Sequence, residues 1–263
     1  MEKLGQPEYT NIAFAAFVST GDSSLETLEQ VFHFAGQKEV IQRNIIYIYS
    51  YIGSERSIEL LLQKVTHSNL NLRIIALKML SKLGIRFPPT YRRNINAEIE
   101  GTCQNLVWNM SATLSFKEHK ASELIIKAMQ QEMKDNRNQI FDLLTFIYDP
   151  STVSAVRNNL QSGDADKEDF ATELLDILID ETSKPLLIPL LTPNSLIEQL
   201  NAVKLIFPAE RLPLQQTLHA LLQRGFRQIN SWTRACALEE LAQLAIARGT
   251  FDTKDYEIFV ANL

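Results

Sequence analysis

The residues of this chain whose types suit catalysis or metal binding are few. His33, His67, His119 and His219 lie scattered, no C-x-x-C occurs, and no histidine belongs to an H-E-x-x-H pair that would place two ligands on one helix face. Cys103 and Cys236 are the only cysteines, too few for a disulfide framework, and their plain reading is as reduced thiols in a cytosol-like compartment. Cys236 falls one residue before a periodic apolar position and reads as packed rather than nucleophilic. Glu239 and Glu240 are adjacent, so on a helix they diverge by about 100° and cannot converge on one substrate. No phosphate-cradling G-x-G-x-x-G, Walker loop or G-x-S-x-G elbow occurs, and the glycines read as dispersed helix caps. The expectation is a non-enzyme with no metal and no cofactor.

Charge narrows the partners. Twenty-six Lys and Arg against 31 Asp and Glu give a net charge of -5, which argues against a dedicated nucleic-acid binder. One basic cluster, "RFPPTYRR" at 86–93, gathers three arginines around Tyr91; it reads as an irregular loop, with contact to phosphate or an anionic surface as the alternative. The acidic run "SGDADKED" at 162–169 reads as a solvated turn with Ser162 and Asp164 as N-cap candidates, and it lacks the distal Glu of an EF-hand loop. The N-terminus has no apolar signal region, and "IIYIYSYI" and "LLIPLL" fall short of the roughly 18–20 residues that cross a bilayer. The expected location is cytoplasmic.

The elements that position these residues follow from a repeat. "NLNLRIIALKML" at 69–80 and "NSWTRACALEEL" at 230–241 align Asn69 with Asn230, Arg73 with Arg234, Ala76 with Ala237 and Leu80 with Leu241. Apolar residues follow Ala76 at +3, +4 and +7, one face of a helix. The pattern recurs at Ile45, Ile140, Ala171, Ala202 and Ala237, with a degenerate copy near Val107; successive anchors are 31, 64, 31, 31 and 35 residues apart. Glu240 is an exception within the last copy. Each anchor follows a second apolar pair by 15–16 residues, as Leu60–Leu61, Leu124–Ile125, Ala155–Val156, Leu186–Leu187 and Leu221–Leu222 show. Gly53, Gly84, Gly163, Gly225 and Gly249 stand where helices end, and Pro150, Pro185 and Pro213 where they begin. A pair of short helices cannot bury its apolar stripe alone, so pairs stack. The expected fold is all-α without β-sheet: a right-handed α-solenoid of about seven stacked antiparallel helix pairs, one domain over 1–263 with an irregular segment near 85–95.

"NLNLRIIALKML" and "NSWTRACALEEL", with Arg three before Ala and Leu four after it, resemble the second helix of HEAT repeats. Residues 140–191, with Tyr148, Pro150, "LQSGDAD", "ATELLDILID" and "PLLIPLL", are similar to the HEAT segment of bacterial ADP/ATP-carrier-type nucleotide transporters. That resemblance implies a cytosolic interaction or spacer module, a fragment of a larger membrane-attached protein tethered to the inner membrane face. Its further partners would be membrane and cyclic-nucleotide-binding domains of the same polypeptide. Armadillo-like pairing stays open beside it. The recurring Arg73 and Arg234 would bond an acid or a carbonyl of the neighbouring unit.

In such a stack, positions +2 and +6 from each anchor leave the buried face and form a stripe on the second helices. Along the chain these are Tyr47 and Tyr51, Lys78 and Lys82, Asp142 and Phe146, Glu173 and Ile177, Lys204 and Pro208, then Glu239 and Gln243. Tyr47, Tyr51, Lys78, Lys82, Phe146, Glu173 and Lys204 are the residues expected to grip a protein or peptide on the concave face, because aromatic side chains free of the core favour recognition. The alternative is a nucleic-acid-acting enzyme on a HEAT-like fold, of the DNA alkyl-base glycosylase type, which needs a cationic face with aromatic residues beside a carboxylate.

Overall fold

The computed structural model describes residues 2–67, 69–85, 92–225 and 228–247, which are helices joined by turns with no strand among them. The chain is all-α. Its helices fall into two compact units, Met1–Arg86 and Phe87–Leu263, and the break lies in the irregular segment expected near 85–95. Residues 86–91 of the basic cluster lie outside the described residues, as does Gly249; Arg92 and Arg93 open a helix and are exposed.

The first unit holds α1 (Pro7–Thr20), α2 (Leu25–Phe32), α3 (Glu39–Ile52), α4 (Glu55–Lys64) and α5 (Leu70–Lys82), preceded by a short 3-10 turn at Glu2–Gly5. Side chains set the helix ends. Ser54 accepts from the Ser57 N–H at 3.1 Å to open α4, and Asn69 accepts from the N–H groups of Asn71 (2.8 Å) and Leu72 (3.3 Å) to open α5; each such cap contributes about 1 kcal/mol. Gly53 closes α3 at φ 64°, a left-handed conformation that a Cβ disfavours. Helix α3 packs on α1, α2, α4 and α5, burying Ile45, Ile46, Ile48 and Tyr49 against Leu28, Phe32, Leu61, Leu72, Ala76 and Leu77. Among the described residues of this unit, Lys64 and Arg73 are charged side chains that are buried. Lys64, 2% exposed, donates to Glu29 and sits 4.5 Å over the Phe32 ring, while the Tyr49 hydroxyl donates to Glu29 at 2.7 Å. His33 lies 2.9 Å from the same carboxylate, an i, i+4 pair with Glu29. Burial lifts the Glu29 carboxyl, but hydrogen bonds from Lys64 and Tyr49 outweigh it and hold it below its ordinary value.

The second unit is built on two long helices, α6 (Arg92–Glu118) and α7 (Glu123–Leu144). They run antiparallel: Asn105 meets Asn136, and eight residues on Thr113 meets Met133. After them come α8 (Pro150–Leu160), α9 (Ala165–Leu178), α10 (Lys184–Leu191), α11 (Leu196–Val203), α12 (Leu214–Gln223) and α13 (Ser231–Ala247). Asp149 with Pro150 at N1 opens α8, Asp164 opens α9, and Ser195 with Glu198 forms a capping box on α11. Consecutive helices pair as α8 with α9, α10 with α11, and α12 with α13. Contacts then return to the long helices: α11 and α12 pack on α6, and α13 packs on α7.

Two features depart from seven equivalent pairs. Leu124–Ile125 and Ile140, expected on separate helices, share the unbroken α7. Residues about a hundred apart also bond directly: Ser111 Oγ donates to Glu210 O at 3.0 Å, Ser115 Oγ to Leu212 O at 2.6 Å, and Asn230 N to Glu132 Oε1 at 2.9 Å. A stack whose pairs touch only their neighbours makes no such contacts.

The anchor register holds at most positions. Ile45, Ala76, Ile140, Ala171 and Ala237 are fully buried. The aligned Asn69 and Asn230 are both N-caps, Asn230 accepting from Thr233 N at 2.9 Å. Ala202 is the correction: it is exposed, and Leu205 is 91% exposed, because α11 stops at Val203, which takes the buried place. The odd Glu240 is buried and accepts the N–H of Ser122 at 3.0 Å, placing an acid at the positive start of α7.

Candidate binding cleft

Helix α6 presents Gly101, Gln104, Asn105, Trp108 and Ser111 along one face, at spacings of three and four residues over about 15 Å. Opposite runs the irregular stretch after α11, where Ile206, Phe207, Pro208 and Leu212 turn toward α6. Pro208 and Pro213 remove backbone donors there, so this wall is held by the Ser111 and Ser115 hydroxyls rather than by a helix ladder. Between the walls lies a cavity of about 580 Å³, within the range of small-ligand and side-chain pockets. Exposed Gly101, Gln104, Pro208 and Glu210 form its open rim.

Arg224 closes one side. It is the first residue past α12, in extended conformation, and its guanidinium lies 4.1 Å from the Trp108 ring centroid, an attraction of about 0.5–2 kcal/mol. Its Nη2 donates to Asn105 Oδ1, and Asn105 is fixed in turn by donating to Gln228 O at 2.8 Å and to Asn136 at 3.3 Å. The Arg224 Nε is buried with no hydrogen-bond partner. Burial pulls the Arg224 pKa down to about 10, against a smaller opposing pull from the Glu132 charge. Glu132 lies beneath the cleft floor, fully buried; Oε1 accepts from Asn230 N and from the Thr233 hydroxyl at 2.7 Å, while Oε2 has no partner. Burial pushes its carboxyl above the ordinary value.

The residues expected to form a concave grip do not converge on this cleft. Tyr47, Tyr51, Lys78 and Lys82 belong to the first unit; Tyr47 is half-buried, and Tyr51 is exposed with its ring edge-on to Phe14 at 5.2 Å. Lys78, Lys82, Glu173 and Lys204 are exposed. Phe146 is corrected: at 5% exposure it is core, because the chain turns inward after α7. Its stripe neighbour Asp142 is also buried, paired with Arg157 at 2.6 Å. Only Pro208 of the stripe reaches the cleft. Gly101, read as one more cap, stands inside α6 and caps nothing. Arg234 donates to Leu222 O on α12 at 3.0 Å, a carbonyl of its own helix pair rather than of the neighbouring unit.

Among the described residues no group of three His, Cys, Asp or Glu is arranged to hold a metal ion. Cys103 and Cys236 are buried, and burial pushes both thiols up, away from the nucleophilic thiolate. No described helix is long and apolar enough to cross a membrane. No protein-family model matches the chain, and no curated protein or solved structure matches it significantly.

Proposed function

We propose that this chain is a non-catalytic binding module whose second unit holds an extended peptide segment of a partner protein in the α6 cleft. The observation that carries this reading is Gly101. Glycine inside a helix is destabilising by roughly 0.5–1 kcal/mol relative to alanine. A Cβ at position 101 would meet nothing within 4 Å, and the residue has no positive φ, so neither packing nor backbone geometry requires glycine. What its absent side chain leaves bare is the cleft wall, where a ligand backbone can approach closely.

The lining supports the same reading. Trp108, Phe207 and Leu212 offer apolar surface, and the Gln104 and Gln228 amides offer donors and acceptors that suit a main chain. The consecutive pairs α8/α9, α10/α11 and α12/α13 support a HEAT-like assembly, and in a transporter-like parent the bound segment would come from a neighbouring domain. A nucleic-acid-acting enzyme draws less support, because the described residues that line the cleft include one cation, Arg224, and one acid, Glu210.

Panning a random dodecapeptide phage library on the full chain tests the reading. Binders are expected, and Gly101→Leu, which keeps α6 helical but fills the rim, is expected to release them. Binders that hold Gly101→Leu equally well would place binding elsewhere and refute the cleft.

A further inference from the structure

We infer that the cleft selects a segment carrying an aspartate or glutamate side chain, whose carboxylate is read by Arg224 on its Trp108 platform. This rests on the peptide-cleft reading above and names the chemistry of its occupant. Arg224 is stacked on one face by Trp108 and held at one edge by Asn105. Among the described residues it forms no ion pair. Glu132 has committed Oε1 to Asn230 and Thr233 and acts on Arg224 through space. A half-buried guanidinium without a counter-anion is electrostatically unfavourable. A ligand carboxylate would supply that anion with planar, charge-assisted hydrogen bonds. Pre-fixing by Trp108 and Asn105 means little side-chain freedom is lost on binding.

Geometry favours an internal acidic side chain over a chain terminus. Arg224 meets α6 between Asn105 and Trp108, with Gly101 and Gln104 on one side and Ser111 on the other. A terminal carboxylate at that midpoint would leave half of the groove unfilled. The exposed apolar side chain of Ile206 in the cleft lining calls for an apolar residue flanking the acid. Among the described lining residues one cation, Arg224, stands with one acid, Glu210, which disfavours polyanions, since each further phosphate would lack a partner.

The test sequences the peptides recovered by panning on the full chain and measures their affinities by fluorescence anisotropy. Asp or Glu beside an apolar residue is expected in the recovered set. Asp→Asn in the best peptide is expected to weaken binding about 10–100-fold, the span for loss of a charged hydrogen-bonded contact. Arg224→Gln should weaken the acidic peptide similarly while equalising it with its Asn form; the peptide-side change needs no altered protein, so a misfolded variant leaves the test intact. Peptides that are lost in Gly101→Leu yet show no acid preference would overturn the carboxylate inference and leave the cleft standing. Recovery of no peptide sensitive to Gly101→Leu would overturn both.

Discussion

Replacing Gly101 with alanine should make the protein more stable. Position 101 lies well inside the 27-residue α6, too far from either end for fraying to absorb the change. The new methyl would contact nothing within 4 Å, so no clash offsets the gain in helix propensity. The full difference of about 0.5–1 kcal/mol should therefore appear. For a domain of roughly 150–250 residues, 1 kcal/mol moves Tm by about 2–4 °C, giving an expected rise of about 1–4 °C in the transition of the second unit. Scanning calorimetry reads the shift, and a raised urea midpoint at unchanged slope confirms a change in stability without a change in the surface exposed on unfolding. The same substitution should weaken cleft binders, with Gly101→Leu weakening them further, so stability and binding move in opposite directions. A lowered Tm would mean that something packs against the bare backbone. A raised Tm with undiminished binding in Gly101→Leu would leave the glycine incidental and remove the main support for the cleft.

Three other outcomes follow from burial and charge. Leu175→Ala, at a fully buried place on α9, should cost about 2–5 kcal/mol in urea unfolding; an unchanged midpoint would show that the anchor register is misplaced there. Glu29→Gln strands the buried Lys64 ammonium and should cost about 3 kcal/mol, the low end for breaking a buried pair because Glu29 keeps some solvent contact. Because the folded Glu29 carboxyl sits below its ordinary value of 4.5, its contribution is present above that pH and fades as pH falls through the folded value, so urea midpoints of wild type and Glu29→Gln should converge at acid pH. Glu132 has the opposite sign: with its carboxyl raised, stability is greatest below the ordinary value and is lost as pH rises through the folded one. Glu132→Gln, which keeps the acceptor for Asn230 and Thr233, should be the more stable form at pH 8 and lose its advantage toward pH 4; a variant less stable at pH 8 would show that Arg224 requires the charge.

Local chemistry made the helix ends legible. Asp164, one of two cap candidates, opens α9 by accepting from Lys167 N at 3.4 Å, Pro150 stands in the first turn of α8, and Gly53 closes α3. The fusion of two expected helices into α7 was illegible for a physical reason. The stretch around 132–139 is polar and resembles a turn, but Glu132, Asn136 and Gln139 point into the unit, where Asn136 meets Asn105 and Asn109. Apolar periodicity treats such residues as solvent-facing and so misses a buried polar stripe. The cleft depends on Arg224 meeting Trp108 across more than a hundred residues of chain, which no spacing rule encodes. Gly101 was the one available local signal, a helix-interior glycine that closes no helix.

Several departures from good helical design lie along the α6–α7 pair. Gly101 weakens α6 without relieving any clash, and Arg224 is half-buried with no ion pair among the described residues. Glu132 Oε2, Asn109 Oδ1, Arg224 Nε and both ends of the Gln139 amide are buried without hydrogen bonds, each at a cost of about 1–3 kcal/mol. All belong to the α6–α7 pair or rest on it. Groups of this kind along the α6–α7 spine suit a site, because binding requires groups whose partners arrive with the ligand. The spine also explains how such strain is tolerated. Helices α11, α12 and α13 return to α6 and α7, so the cleft walls are braced from both sides and Arg224 stays aimed while unpaired. Binding should therefore stabilise the second unit more than the contacts of the peptide alone suggest, since the guanidinium that opposes folding in the free protein gains its counter-charge in the complex.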